Sequence, residues 1–426
     1  MSAKPVLVSL PNRTSTSSSL GTAHYSYGFA ASKIMAMLRN AGVDVRVIDA
    51  PEQFKNPLYG ELSGIGGSGQ VHLIFRSTED IRTIPGCYNV ACYAWEFESM
   101  KGEGLAHESV LLDQVRMLQT CQEVWAPSEF TRAVLLRHGV ETVRLIPAPI
   151  DIPANEVGRD RKDSFAVIAA LEAIHLVSRS SGSEPDYVAL AQRLARHLGG
   201  RPPVEKALAS KRVFLTICNP YDQRKNLATM IEGFLMATEG MDDAVLLVKL
   251  VTSGAFEAPA GYLFHQIRVI FGNPHCIDED RVVLFSGYLA DDEMSALYQS
   301  ADFYLCASIA EGQNLPLLEA MAHGCIPVSV RNTAMADYIN TGNAVVIEER
   351  RFSGLKSGLA GDVAGTRLTI DFADRFQIAD AIRRAMALDQ SGRNAFVSAA
   401  KTTVSEIYSP DKVFLRLSQY VDLLAE

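Results

Sequence analysis

The sequence predicts an α/β protein made of two doubly wound parallel-sheet domains that face each other across a cleft, with a helical insertion between them. Short apolar, β-branched runs alternate with helix-length amphipathic stretches, the pattern of parallel sheets covered on both faces. That alternation stops over residues 150–210 and restarts at Val213. The chain has 426 residues, too many for one compact core.

In the first part, Val6–Leu10 is a β-rich run, and residues 22–41 form a helix closed by Arg39, Asn40 and Gly42. Strands follow at 43–48, 71–75 and 89–93, then a helix at 104–119, a strand at Val124, a helix at 128–138 and a strand at 143–146. Within 150–210, helical patterns at 164–178 and 186–199 sit between linker-like segments. The second part carries strands at 213–218, 244–251, 281–286, 302–306, 326–329 and 344–347. Its helices fall at 224–238, 257–271, 291–300, 315–323 and 375–388, with a helical tail over 391–425 split near Pro410. The expected division is 1–150, an insertion or linker at 151–210, a second domain at 211–405, and a last helix at 406–426 that crosses back to the first domain.

The formal net charge of −9 excludes a generally basic nucleic-acid binder. Residues 1–210 carry 21 basic and 22 acidic side chains, leaving 19 and 27 for the rest. The near-neutral first half is therefore the better face for an anionic membrane surface. Seven scattered cysteines without a C-x-x-C pair read as reduced thiols of a cytoplasmic protein. The N-terminal residues have no signal-peptide core, and no apolar run approaches the ~20 residues of a spanning helix.

Several motifs fail on position. Gly64–Gly69 matches G-x-G-x-x-G but precedes a strand and opens no helix, which argues against a nicotinamide dehydrogenase. Asp278-Glu279-Asp280 has a metal-binding D-x-D spacing, yet it falls at the amino end of a strand, whereas ligands bind at carboxyl ends. Asp291 and Asp292 are at the right end but open a helix, so capping accounts for them. No histidine or cysteine spacing suggests a metal site, and no G-x-S-x-G is present.

Three segments point to one chemistry. Glu311-Gly312-Gln313-Asn314-Leu315-Pro316 through Glu319 follows a strand and opens a helix that Pro316 begins and Gly324 ends. Free N–H groups near Asn314 and Leu315 suit a diphosphate, and the carboxylates of Glu311 and Glu319 suit sugar hydroxyls. Asn219–Asn226 places Arg224 and Lys225 at a helix start, which the helix dipole disfavours and a phosphate would explain. Tyr93–Glu98 brings Trp95 and Glu96 to a strand end in the first domain, at the expected cleft edge.

The glutamate pair separated by seven residues resembles the E-x7-E signature of retaining GT-B glycosyltransferases, particularly glycosyltransferase family 4. Arg224-Lys225-Asn226 resembles that family's R-K-N segment; W-E-F-E (95–98), E-V-W-A-P-S-E-F-T-R (123–132) and I-P-A-P-I-D (146–151) resemble a subgroup of it. The resemblance covers about 85–150 and 210–390, and implies two Rossmann-like domains. By this resemblance Arg224 and Lys225 stabilise a leaving diphosphate, Glu311 contacts the transferred sugar, and Glu319 holds the ribose. Gln313, Asn314 and Leu315 belong to the donor loop, Gly287 and Tyr288 to the turn at the base, and Gly21 to the phosphate loop of the first domain. Trp95 and Glu96 stand near the place of the family's cleft histidine. Asn314 replaces a family glycine, and Asn tolerates left-handed geometry.

The resemblance implies retaining transfer of a sugar from a nucleotide diphosphate sugar to a glycan or lipid-linked acceptor, without metal or cofactor. The setting it implies is cell-surface polysaccharide synthesis by a cytoplasmic enzyme with a peripheral contact on the membrane face. A nucleotide-sugar epimerase and a non-catalytic nucleotide or sugar binder with a degenerate site are the rival readings.

Overall fold

The computed structural model describes residues 4–11, 23–56, 65, 69–101, 113–153, 211–251, 281–286, 289–355 and 367–418. Most of the 150–210 insertion, the helix expected at 257–271, most of the Gly64–Gly69 loop and Asp278–Asp280 lie outside them.

Among the described residues, two six-stranded parallel sheets organise the fold. The first holds β1 (Val6–Ser9), β2 (Val45–Ile48), β3 (Val71–Ile74), β4 (Tyr88–Cys92), β5 (Glu123–Ala126) and β6 (Val143–Leu145), in the order β2-β1-β3-β4-β5-β6. Its helices are α1 (Ala23–Asn40), α2 (Gln114–Leu118) and α3 (Glu129–Arg137). Ser128 caps α3 by accepting from the Thr131 N–H, as a serine at that position should. Strand β1 is buried at every position, the mark of a sheet covered on both faces.

The second sheet holds β7 (Arg212–Cys218), β8 (Ala244–Leu250), β9 (Val282–Ser286), β10 (Phe303–Cys306), β11 (Ile326–Ser329) and β12 (Val345–Val346), in the order β12-β11-β10-β7-β8-β9. All neighbouring strands in both sheets run parallel. The order reverses between β7 and β10, so the loops leaving their carboxyl ends diverge and open a crevice there. The helices are α4 (Leu227–Ala237), α5 (Asp291–Ser300), α6 (Leu315–His323), α7 (Arg375–Met386), α8 (Gln390–Ile407) and α9 (Pro410–Ser418). Gly233 of α4 lets α7 approach closely: a Cβ there would lie 2.7 Å from Ile378 Cγ2.

A feature absent from the sequence expectation is an antiparallel hairpin, β13 (Arg350–Leu355) with β14 (Arg367–Phe372). Its Ile370 joins a buried cluster of the first domain that includes Tyr93, Trp95 and Phe97, as do Ile309 and Ala310 from the loop after β10. At the other end, Val413 and Leu417 of α9 pack into the first domain's core beside Ile34 and Leu38 of α1. The Ile150 N–H donates to the Tyr408 carbonyl, and Ile150 itself is buried in the second core. The two bodies are therefore joined by apolar packing on both sides of the crevice.

Candidate active site

The crevice between β7 and β10 gathers the predicted cations and carboxylates. After β7, Asp222 caps a 3-10 turn at Gln223–Lys225, and Asn226 adopts a left-handed conformation (φ 54°) to start α4. Arg224 and Lys225 thus stand on this preceding turn, not in the first turn of the helix as expected. The turn removes the expected conflict with the helix dipole, because the cations lie outside the helix. Asp222 also grips the guanidinium of Arg224: Nε donates to Oδ1 at 3.1 Å and Nη2 to Oδ2 at 2.8 Å. Such a fork fixes the plane of the arginine. Sequence reasoning missed Asp222, whose signal was its position two residues before the arginine in a turn.

Lys225 Nζ donates to Glu311 Oε1 at 2.6 Å, across the crevice. Burial disfavours the Lys225 charge, but Glu311 and Asp222 outweigh it and raise the pKa above the ordinary lysine value. Burial likewise opposes the Asp222 charge, yet Arg224 and Lys225 hold its carboxyl below the usual range. Glu311 is 5% exposed and its backbone N–H donates to Thr333 Oγ1.

Asn314 caps α6 from the left-handed region (φ 63°), with its Oδ1 accepting from the Leu317 N–H. Its amide also donates toward Glu311 Oε1 at 3.3 Å. Pro316 lies in the first turn, and Gly324 (φ 94°) closes the helix in the left-handed region that favours glycine. The N-terminus of α6, with Leu315 at its first position, therefore adjoins the Lys225–Glu311 pair. Four residues further, Glu319 Oε2 accepts from the Tyr298 hydroxyl at 2.8 Å. Burial lifts the Glu319 pKa to about 7, against the opposing effects of that hydrogen bond and of Lys33.

Two expected site residues are placed differently. Gln313 does not offer its side chain to the crevice. Its amide pairs with the backbone of Ala148, accepting from the N–H at 3.0 Å and donating to the carbonyl at 2.9 Å, and so ties the loop before α6 to the interdomain connection. Trp95 is a core aromatic: it stacks on Tyr93, meets Phe97 edge-on, and donates its indole N–H to the Ser99 carbonyl. The indole has an apolar nest and a hydrogen-bond partner inside, so nothing turns it toward the cleft. Glu96 does reach the cleft, where its Oε1 lies 2.8 Å from Arg224 Nη1. Gly312 brings the domains together beside it: a Cβ there would stand 3.0 Å from Ala94 Cβ. Gly21, Gly287 and Tyr288 lie outside the described residues.

Among the described residues, no group of three or more His, Cys, Asp and Glu side chains is placed to hold a metal ion, and no helix is long and apolar enough to cross a membrane.

Residues 211–360, the part that carries Arg224, Lys225, Glu311 and Glu319, match the family model described as glycosyl transferases group 1. No curated protein matches the chain by sequence. Among solved structures, sucrose-phosphate synthase from Thermosynechococcus elongatus is similar at a TM-score of 0.59 and 15% identity, over 99% of this chain and 100% of that one. WaaG, a glycosyltransferase involved in lipopolysaccharide biosynthesis, is similar at 0.53 and 16%, over 96% and 98%. The pneumococcal O-GlcNAc transferase GtfA, solved with UDP and GlcNAc, is similar at 0.50 and 12%, and there 87% of this chain spans only 59% of the neighbour. The fold is therefore that of the GT-B glycosyltransferases, with two Rossmann-like bodies.

Proposed function

We propose that this protein is a retaining glycosyltransferase that moves a sugar from a nucleotide diphosphate sugar to the hydroxyl of a glycan or lipid-linked acceptor, without a metal. The observation that carries the reading is the convergence of Arg224, Lys225 and Glu311 at the N-terminus of α6, where the second sheet reverses its strand order. Departure of a nucleoside diphosphate builds negative charge on the bridging phosphate. Two fixed cations and the N-terminus of α6 stabilise that charge without reorganising. Glu311 then accepts hydroxyls of the sugar, and Glu319 those of the ribose. Retention places the acceptor on the face the diphosphate leaves, with a phosphate oxygen taking its proton. Closure of the two bodies keeps water from the activated sugar.

Cell-surface polysaccharide synthesis on the cytoplasmic side, with a peripheral membrane contact, is the setting this reading gives. It draws support from the similarity to WaaG and from the near-neutral first half of the sequence.

The test is calorimetric titration with UDP, GDP, ADP and dTDP in chelator, followed by turnover with the matching nucleotide sugars. We expect one nucleotide to bind, and Lys225→Ala to lose at least a hundredfold in kcat, within the range for removing one donor that stabilises developing charge (~10²–10³). Turnover of that variant at the wild-type rate would remove the phosphate assignment. Conversion of a nucleotide sugar with no acceptor present would identify an epimerase instead.

A further inference from the structure

Arg224 makes two kinds of contact. Its Nε and Nη2 are taken by Asp222, which shares its turn and cannot leave without unmaking the cap. Nη1, turned away from Asp222, faces Glu96 of the other domain at 2.8 Å. Among the described residues, this buried nitrogen has no partner with good hydrogen-bond geometry, so the ion pair with Glu96 is close but poorly directed. Both side chains keep about a fifth of their surface in solvent, 21% for Arg224 and 22% for Glu96. Among the described residues around them, two cations face three carboxylates: Glu96, Asp222 and Glu311. An incoming diphosphate adds at least two more negative charges, and the site cannot hold them all at contact distance. Asp222 is locked by its cap and Glu311 is 5% exposed and bonded to Lys225. Glu96 is the carboxylate free to yield.

We infer that Glu96 is an internal competitor for the diphosphate: it occupies Arg224 Nη1 across the closed domains and must be displaced before a nucleoside diphosphate can bind. This rests on the donor-site reading above and adds to it a residue that sets donor affinity from the opposite domain.

The experiment is calorimetric titration of the intact wild type, Glu96→Gln and Glu98→Gln with UDP, GDP, ADP and dTDP, with folding checked by circular dichroism. Glu98 removes the same charge two residues away, where it contacts exposed Arg351. Glutamine at 96 keeps the shape and loses the competing charge. It should bind the preferred nucleotide about twofold to fivefold more tightly than wild type, the upper part of the range for one partly screened ion pair. Glu98→Gln should match wild type. If wild type binds a nucleotide and Glu96→Gln binds it no more tightly, or if Glu98→Gln tightens it equally, the competitor role is overturned and the donor site stands. If none of the four nucleotides binds any of the three proteins, the donor-site reading fails and this inference falls with it.

Discussion

Glu319 offers the sharpest test of the donor site, because its charge changes near neutral pH. Burial raises its carboxyl to about 7, while Tyr298 and Lys33 pull it down and Asp151 and Asp291 push it up. The ionised carboxylate offers both oxygens as acceptors to the two hydroxyls of a ribose, whereas protonation turns one of them into a donor. With a pKa of about 7, roughly a tenth of the molecules are ionised at pH 6 and roughly nine-tenths at pH 8. Apparent affinity scales with the competent fraction, so nucleotide binding should strengthen about ninefold from pH 6 to pH 8. Part of any slope belongs to the terminal phosphate, which also titrates in this range, so Glu319→Gln supplies the baseline. Calorimetry on both proteins at pH 6, 7 and 8 should show a steeper pH dependence in wild type by nearly that factor. Identical slopes would refute the assignment of Glu319 to the ribose. The unliganded protein carries the same signature with the opposite sign. A carboxyl raised above its ordinary 4.5 binds its proton more tightly when folded, so its contribution to stability is full below about 4.5 and is lost as pH rises through 7. Glu319→Gln should therefore gain Tm relative to wild type as pH increases across that window.

Two further substitutions test the frame around the site. Gly233→Ala would set a Cβ 2.7 Å from Ile378 Cγ2 and 3.0 Å from the Arg375 carbonyl; the α4–α7 contact should lose about 1–3 kcal/mol, lowering Tm by several degrees in a thermal melt, and an unchanged Tm would disprove the tight crossing. Gln313→Ala would strand the Ala148 N–H and carbonyl; denaturant unfolding should show a loss of about 1–3 kcal/mol, and no loss would show that the clasp contributes nothing.

What the sequence made legible follows from where the causes lie along the chain. Helices α5 and α6 fall at the residues expected because their ends are written locally. Glu293 reaches back to the Ala290 N–H in one, and Asn314, Pro316 and Gly324 bracket the other. The parallel strands were readable because burial on both faces demands apolar runs such as residues 244–248 of β8, buried throughout. The hairpin β13–β14 was not. Arg350 and Arg351 interrupt any apolar alternation, and their partners, Asp374 and Glu98, come from elsewhere in the fold. Gln313 looked like a ligand contact because it stands in the loop that leads into α6. Its true partner, Ala148, is 165 residues away and uses only backbone atoms, which leave no trace in a side-chain pattern.

The same reasoning separates Trp95 from Glu96. In an extended segment, neighbouring side chains point to opposite sides. Tyr93, Trp95 and Phe97 therefore share the inner side and fill one cluster with Ile309 and Ile370 of the other domain. Glu96, between them, is turned out toward Arg224. The aromatics dock the second domain and thereby set the distance across which Glu96 meets the arginine. The backbone that carries Glu96 to the candidate site is thus positioned by the apolar contacts of the residues on either side of it.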